Sequence, residues 1–289
     1  MNRRPHRCER CALPAELQPH FYLQNRVIIT IFTKKHKFGR KTYNIWSGFQ
    51  KNQKFAIITL NFMILDNLDF IRKSIEENKK PSQFVELVAV TKTFPPSAVS
   101  TAIKNGIKHI GESKIQEALP KFAELGNDLN GVWRHFIGHL QSNKAKKAVE
   151  NFDLIQSLDS FDLAKDIDRH AKNINKVQNC LIEVKVSTEA TKTGINAENV
   201  EDFYKQCKDL PNVSIKGLMV ITPLSANPED SRAYFRDIHS LFKKLQYDDA
   251  NFGILSMGMS DDYIIAVQEG ATMVRVGSAL FGERDYGNK

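Results

Sequence analysis

The chain has 289 residues, 42% hydrophobic and 26% charged; it can bury a full core, and no apolar run approaches the roughly 18 residues that a membrane span needs. Its net charge of +8 does not mark a nucleic-acid binder, because the excess lies at one end: residues 1–62 hold 12 Lys/Arg against only Glu9 and Glu16, whereas residues 63–289 hold 29 basic and 31 acidic groups. A nearly neutral body is poor ground for binding a phosphate backbone.

Residues 1–62 are basic, aromatic and aperiodic. They lack the basic start, apolar stretch and small-residue cleavage site of a signal peptide. They are Arg-rich and acid-poor like a mitochondrial transit peptide, but Ser47 is their only serine. Cys8-x-x-Cys11 is a lone pair with only His6 or His20 nearby, whereas a structural zinc site needs four ligands, so no metal is expected. The segment reads as a disordered or non-native extension, with Met63 opening the native chain. Cys180 and Cys207 fall in a strand-like and a helix-like run, where buried free thiols are ordinary, so a reducing cytoplasm is the expected compartment.

From Met63 the pattern is regular. Ile64, Leu65, Leu68, Ile71 and Ile75 recur at helical spacing and predict an amphipathic helix over 63–79. Eight short apolar runs follow as strand candidates: Val85–Val90, Ile107–Ile110, Arg134–Ile137, Leu154–Gln156, Cys180–Val186, Ile215–Val220, Phe252–Leu255 and Met273–Val276. Helical patterns lie between them at Ser97–Lys104, Ile115–Leu125, Asn143–Glu150, Phe161–Ala171, Val200–Cys207, Ser231–Leu245 and Tyr263–Glu269. Strand and helix in alternation imply parallel crossovers. Eight such units predict a single (β/α)8 TIM-type barrel over 63–289, with an open doubly wound sheet as the alternative.

In such barrels the chemistry sits at the C-terminal ends of the strands, with phosphate often held after strands seven and eight. The residues just past the predicted strands are Lys92, Glu112, His139, Ser157, Lys192, Thr222, Ser256 to Ser260, and Gly277-Ser278. Lys92 follows Leu87-Val-Ala-Val90; its amine is a candidate for a carbonyl adduct, since desolvation favours the neutral form, or else a rim lysine paired with Glu112. Ser256-Met-Gly258-Met-Ser260 carries small residues and hydroxyls, and a helix is expected to start near Ser260; backbone N–H groups there, with Ser256, could cradle a phosphate, or Ser260 or Asp261 could cap that helix. Gly277 lets the backbone approach a ligand, and Ser278 can cap the last helix and donate to phosphate. Arg275, flanked by Val274 and Val276, needs an acceptor, either a ligand atom or a structural carboxylate. His139 reads as a hydrogen-bonded structural histidine before an acid–base group. Lys144, Lys146 and Lys147 read as a solvated helix face.

The stretches Leu87-Val-Ala-Val-Thr-Lys92, His135-Phe-Ile-Gly-His-Leu-Gln-Ser-Asn-Lys144, Lys192-Thr-Gly-Ile195, Leu255-Ser-Met-Gly-Met-Ser-Asp-Asp262 and Met273-Val-Arg-Val-Gly-Ser-Ala-Leu-Phe-Gly282 run in order through the body. Together they resemble the pyridoxal phosphate homeostasis protein family, single barrels similar to the N-terminal domain of alanine racemase. The resemblance implies that Lys92 holds pyridoxal 5'-phosphate as a Schiff base. It implies further that Ser256, Gly277 and Ser278 lie around the phosphate, that Arg275 faces the pyridine nitrogen, and that Lys192 is near the pocket. The sequence departs from the family at Gly111-Glu-Ser-Lys114, where Gly-Glu-Asn-Tyr is usual, and Ser278 stands where Thr is common.

The resemblance also frames the choice between enzyme and carrier. Racemisation needs a second base, which alanine racemase takes from a separate β domain; here the sequence ends seven residues after Gly282. Ile221 stands where the racemase has a histidine. Arg275 would keep the ring nitrogen unprotonated and the cofactor a weak electron sink. The expectation is therefore a cofactor-supply protein with no catalytic residue, with apo pyridoxal enzymes as partners, acting as a monomer or weak homodimer. A weak amino-acid racemase, and an aldolase-like Schiff-base barrel without cofactor, are the alternatives.

Overall fold

The structure is a computed structural model that describes residues 53–186 and 193–283. The expected helix is present and longer, α1 at Gln53–Asn78. Nothing between Gln53 and Met63 is a Gly or Pro that would stop it, so once nucleated it propagates upstream. Ile64, Leu68, Ile71 and Ile75 are buried, as their spacing requires. Cys8, Cys11 and most of the predicted extension lie outside the described residues, as does Lys192.

After α1, strand and helix alternate: β1 Glu86–Val90, α2 Pro96–Lys104, β2 His109–Glu112, α3 Ile115–Leu125, β3 Trp133–Phe136, α4 Ala145–Asn151, β4 Leu154–Leu158, α5 Phe161–Lys172, β5 Gln178–Lys185, β6 Ile195–Asn196, α6 Val200–Lys208, β7 Val213–Val220, α7 Ser231–Asp248, β8 Ile254–Ser256, α8 Tyr263–Gln268, β9 Met273–Val276 and α9 Ser278–Phe281. All pairings are parallel. β1 pairs with both β2 and β9, and β4 pairs with β5, so eight strands close into a ring. The two-residue β6 adds outside that ring on β5. This is the (β/α)8 barrel, and the open-sheet alternative is excluded by the closing pairs.

The ring separates two apolar layers. Val88, Leu154, Leu181, Met219 and Met273 fill the barrel interior. The larger core lies between the outer strand faces and the helices, with Phe136, Phe152, Phe235, Phe242 and Phe252 among its fully buried members. Gly217 marks the tightest approach between strands: a Cβ there would stand 1.7 Å from the carbonyl oxygen of Ile254. A register shift between Cys180 and Leu181 on β5 leaves Lys216 as the extra residue of β7 and turns Gly217 toward that contact.

Two ion pairs tie the rim to the helices and strands. Lys121 on α3 donates to Glu112 Oε1 (2.6 Å) and to the Thr91 carbonyl (2.6 Å), all three being buried. At the opposite end Arg134 makes a two-pronged contact with Asp153 at 3.0 and 3.1 Å. Among the described residues no helix is long and apolar enough to cross a membrane, and no His/Cys/Asp/Glu group is arranged to hold a metal ion.

Candidate functional site

The C-terminal ends of β1, β8 and β9 bring the predicted residues together. β1 and β9 are neighbours with Ala89 opposite Val276, so the chain beyond each strand reaches the same rim. Lys92 stands half-buried just past β1. The next residue, Thr93, has φ 68°, which is unusual for a β-branched side chain and holds the backbone in a sharp turn after the lysine. Its N–H donates to the Glu117 carboxylate. Glu112, the alternative partner proposed for Lys92, has its Oε1 engaged by Thr91 (2.7 Å) and Lys121. Burial raises the Glu112 pKa, with Lys121 opposing it.

Arg275 is buried, and its acceptors are neutral. Nη1 donates to Ser256 Oγ at 2.7 Å and Nη2 to the Val220 carbonyl at 2.8 Å. Desolvation pulls its pKa down to about 10, with Asp262 and Glu183 opposing through space, so it stays cationic at neutral pH. Those carboxylates have hydrogen bonds of their own. Asp262 accepts from the Met259 N–H (2.7 Å) and Thr222 (3.1 Å), and Glu183 accepts from Thr193 (3.2 Å).

The turn after β8 serves β9 and the last helix. Gly258 has φ 89° and its carbonyl accepts from the Arg275 N–H at 3.0 Å; a Cβ there would meet the Ala266 Cβ at 2.5 Å. A helix start near Ser260 is expected from the sequence, but α8 begins at Tyr263, and Ser260 caps a different element. Its Oγ accepts from the N–H groups of Gly277 and Ala279, both at 3.2 Å. Two main-chain donors converging on one oxygen at the opening of a helix are the donor set that a phosphate oxygen uses. Ser278 is exposed beside them. Ser256, expected around the phosphate, is fully buried, its hydroxyl accepting from Arg275 and donating to Gln156 (2.7 Å). The hydroxyl at the donor corner is that of Ser260.

His139 is half-exposed at the rim with Nδ1 3.1 Å from Asp159, a hydrogen-bonded histidine as expected. The sequence reading passed over His109, Glu86 and the side chain of Gln156, which continue inward from Ser256. The available signal was strand parity. Glu86 and Val88 share a face of β1, as do Leu154 and Gln156 on β4, and Val88 and Leu154 lie in the barrel interior.

A closed parallel barrel with an amine past β1, a buried guanidinium on β9 and N–H donors opening the last helix defines the racemase-type class of barrel. Residues 64–285 match the family model described as "Alanine racemase, N-terminal domain". The pyridoxal phosphate homeostasis protein of Aquifex aeolicus is 43% identical over 76% of this chain and 96% of its own length. That of Pseudomonas aeruginosa is 40% identical over 75% and 92%. Among solved structures, PipY of Synechococcus elongatus with PLP bound is 39% identical with a TM-score of 0.67, matching 76% of this chain and all (100%) of that one. Alanine racemase from Bartonella henselae, at 16% identity and a TM-score of 0.58 over 78% of this chain and 59% of that one, shares the fold. The chain belongs to the pyridoxal phosphate homeostasis protein family.

Proposed function

We propose that this chain binds pyridoxal 5'-phosphate in the barrel mouth, with Lys92 attaching its aldehyde carbon as a Schiff base, and serves cofactor supply in place of turnover. The residues present fit the group. Lys92 offers an amine at the rim, the Ser260 and Ser278 hydroxyls offer donors for a phosphate beside the Gly277 and Ala279 N–H groups that Ser260 Oγ holds, and Arg275 presents a cation from below. Gly258 supports the site by holding Arg275 through the backbone. When bound, the cofactor supplies an electrophilic carbon and a ring that takes up electrons well only when its nitrogen is protonated.

The observation that carries the choice of supply over catalysis is Ile221, exposed just past β7 where the racemase has a histidine, and Arg275 adds to it. A buried guanidinium bonded to neutral acceptors opposes protonation of a nearby ring nitrogen, where a carboxylate would favour it. The partners this reading implies are apo pyridoxal enzymes inside the cell, met by a monomer or weak homodimer. The test is borohydride reduction with peptide mapping, run beside visible spectra of the unmodified protein and Lys92→Ala. A reduced adduct on Lys92, no visible band in the variant, and no steady inversion of alanine or serine are expected. Labelling at another lysine, or Lys92-dependent racemisation, overturns the reading.

A further inference from the structure

A hydrogen-bond chain runs through the barrel interior from Arg275 at the mouth to His109, whose far ring nitrogen faces Glu86 at the start of β1. Arg275 Nη1 meets Ser256 Oγ at 2.7 Å, and Ser256 meets Gln156 Oε1 at 2.7 Å. Gln156 Nε2 meets His135 Nδ1 at 2.9 Å, His135 Nε2 meets His109 Nδ1 at 3.0 Å, and His109 Nε2 meets Glu86 Oε2 at 3.3 Å. Ser256, Gln156, His135 and Arg275 are all buried.

The Arg275 end sets the direction of every proton along the chain, and the Glu86 carboxylate beside His109 agrees with it. A guanidinium can only donate, so Ser256 accepts from it and its own proton goes to Gln156 Oε1. The amide nitrogen of Gln156 then donates to His135 Nδ1, which makes His135 the neutral Nε2–H tautomer. That proton goes to His109 Nδ1, making His109 the Nε2–H tautomer as well, and its proton meets a carboxylate, which can only accept. All four hydrogen bonds point the same way, from the cation toward the end that faces Glu86, and aligned bonds in a poorly polarisable interior strengthen one another.

We propose that Gln156, His135 and His109 are positioning residues for Arg275: the chain holds Ser256 as an acceptor and so fixes the guanidinium that would face the cofactor. This rests on the cofactor reading given above. Without the chain the Ser256 proton has no set direction, and the only other bond described for the guanidinium is that to Val220. A nitrogen-free side chain at 135 breaks the chain, whereas Gln can accept from Gln156 and donate to His109 in the same sense.

The decisive comparison is His135→Leu against His135→Gln, read by the visible band of the lysine-bound cofactor and by its release rate. His135→Leu should shift the band and release the cofactor about fivefold faster, the loss of one hydrogen bond's net worth. His135→Gln should stay near the unmodified protein. Nitrogen-15 NMR of the imidazoles in the unmodified, cofactor-free chain gives a second readout that needs no variant to fold, and both His135 and His109 should appear as neutral Nε2–H tautomers. An Nδ1–H tautomer at either histidine overturns the proposal. So does His135→Leu with an unmoved band and rate while borohydride still labels Lys92. If the unmodified chain is not labelled at Lys92, the cofactor reading fails, and this proposal with it.

Discussion

His135 makes folding stability depend on acid in a way that one substitution can isolate. Burial, followed by the nearby His109, lowers its pKa from 6.5 to about 3 in the folded chain. The unfolded chain therefore binds a proton near pH 6.5 that the folded chain refuses until about pH 3. Between those values acid favours the unfolded state. The stability held above pH 6.5 is lost at about 1.4 kcal/mol for each pH unit, amounting to about 2 kcal/mol by pH 5. His109 shifts downward too, mainly by desolvation, and adds to the same trend. Urea unfolding at pH 7 and pH 5 measures this, with His135→Gln as the reference: it keeps both hydrogen bonds, does not titrate, and leaves His109 in place. The unmodified chain should lose about 2 kcal/mol more than the variant over that interval. Equal losses in the two proteins would refute the assignment of a neutral, buried His135.

Two further predictions concern the scaffold. Lys121→Met leaves the Glu112 carboxylate buried without its cation and should cost about 3–5 kcal/mol in urea unfolding; adding Glu112→Gln should recover most of that, and no recovery would mean that Lys121 acts by packing alone. Gly217→Ala should leave little soluble barrel, because its Cβ would collide with the Ile254 carbonyl at 1.7 Å, whereas Gly253→Ala, with nothing within 4 Å, should melt within about 0.5 kcal/mol of the unmodified chain. A soluble, normally melting Gly217→Ala barrel would contradict the strand register at β7 and β8.

The barrel was legible because its units are periodic. α3 follows the predicted Ile115–Leu125 span, and β9 the predicted Met273–Val276 span. Two of the errors share a cause. β2 and β8 begin two residues later than expected, since Ile107 and Phe252 are buried in the outer core without being in the ladder. Apolar character marks burial, and a buried residue before a strand looks like part of it. The site was legible where one residue type does unusual work, as with Lys92 after β1 or Arg275 between two valines. On paper Ser256 was set with the phosphate and Ser260 at a helix cap. Only the fold decides that one hydroxyl lies under Arg275 and the other meets the Gly277 and Ala279 N–H groups. The interior chain was hidden because its members come from β1, β2, β3, β4, β8 and β9, and no sequence spacing links them.

The placement of Glu86 bears on why the interior is polar at all. Barrels of this kind are ordinarily filled by branched aliphatic side chains, and a buried charge is costly unless compensated. A carboxylate set directly against Arg275 would compensate it most simply, but it would also cancel the positive field just where a cofactor ring is to lie. Here the carboxylates that act on Arg275, Asp262 and Glu183, do so through space and are bonded elsewhere. The carboxylate that the hydrogen-bond chain leads to is Glu86, 3.3 Å from His109 at the far end of four neutral side chains. Separating the charges in this way satisfies every polar atom along the path while leaving the guanidinium's field at the mouth.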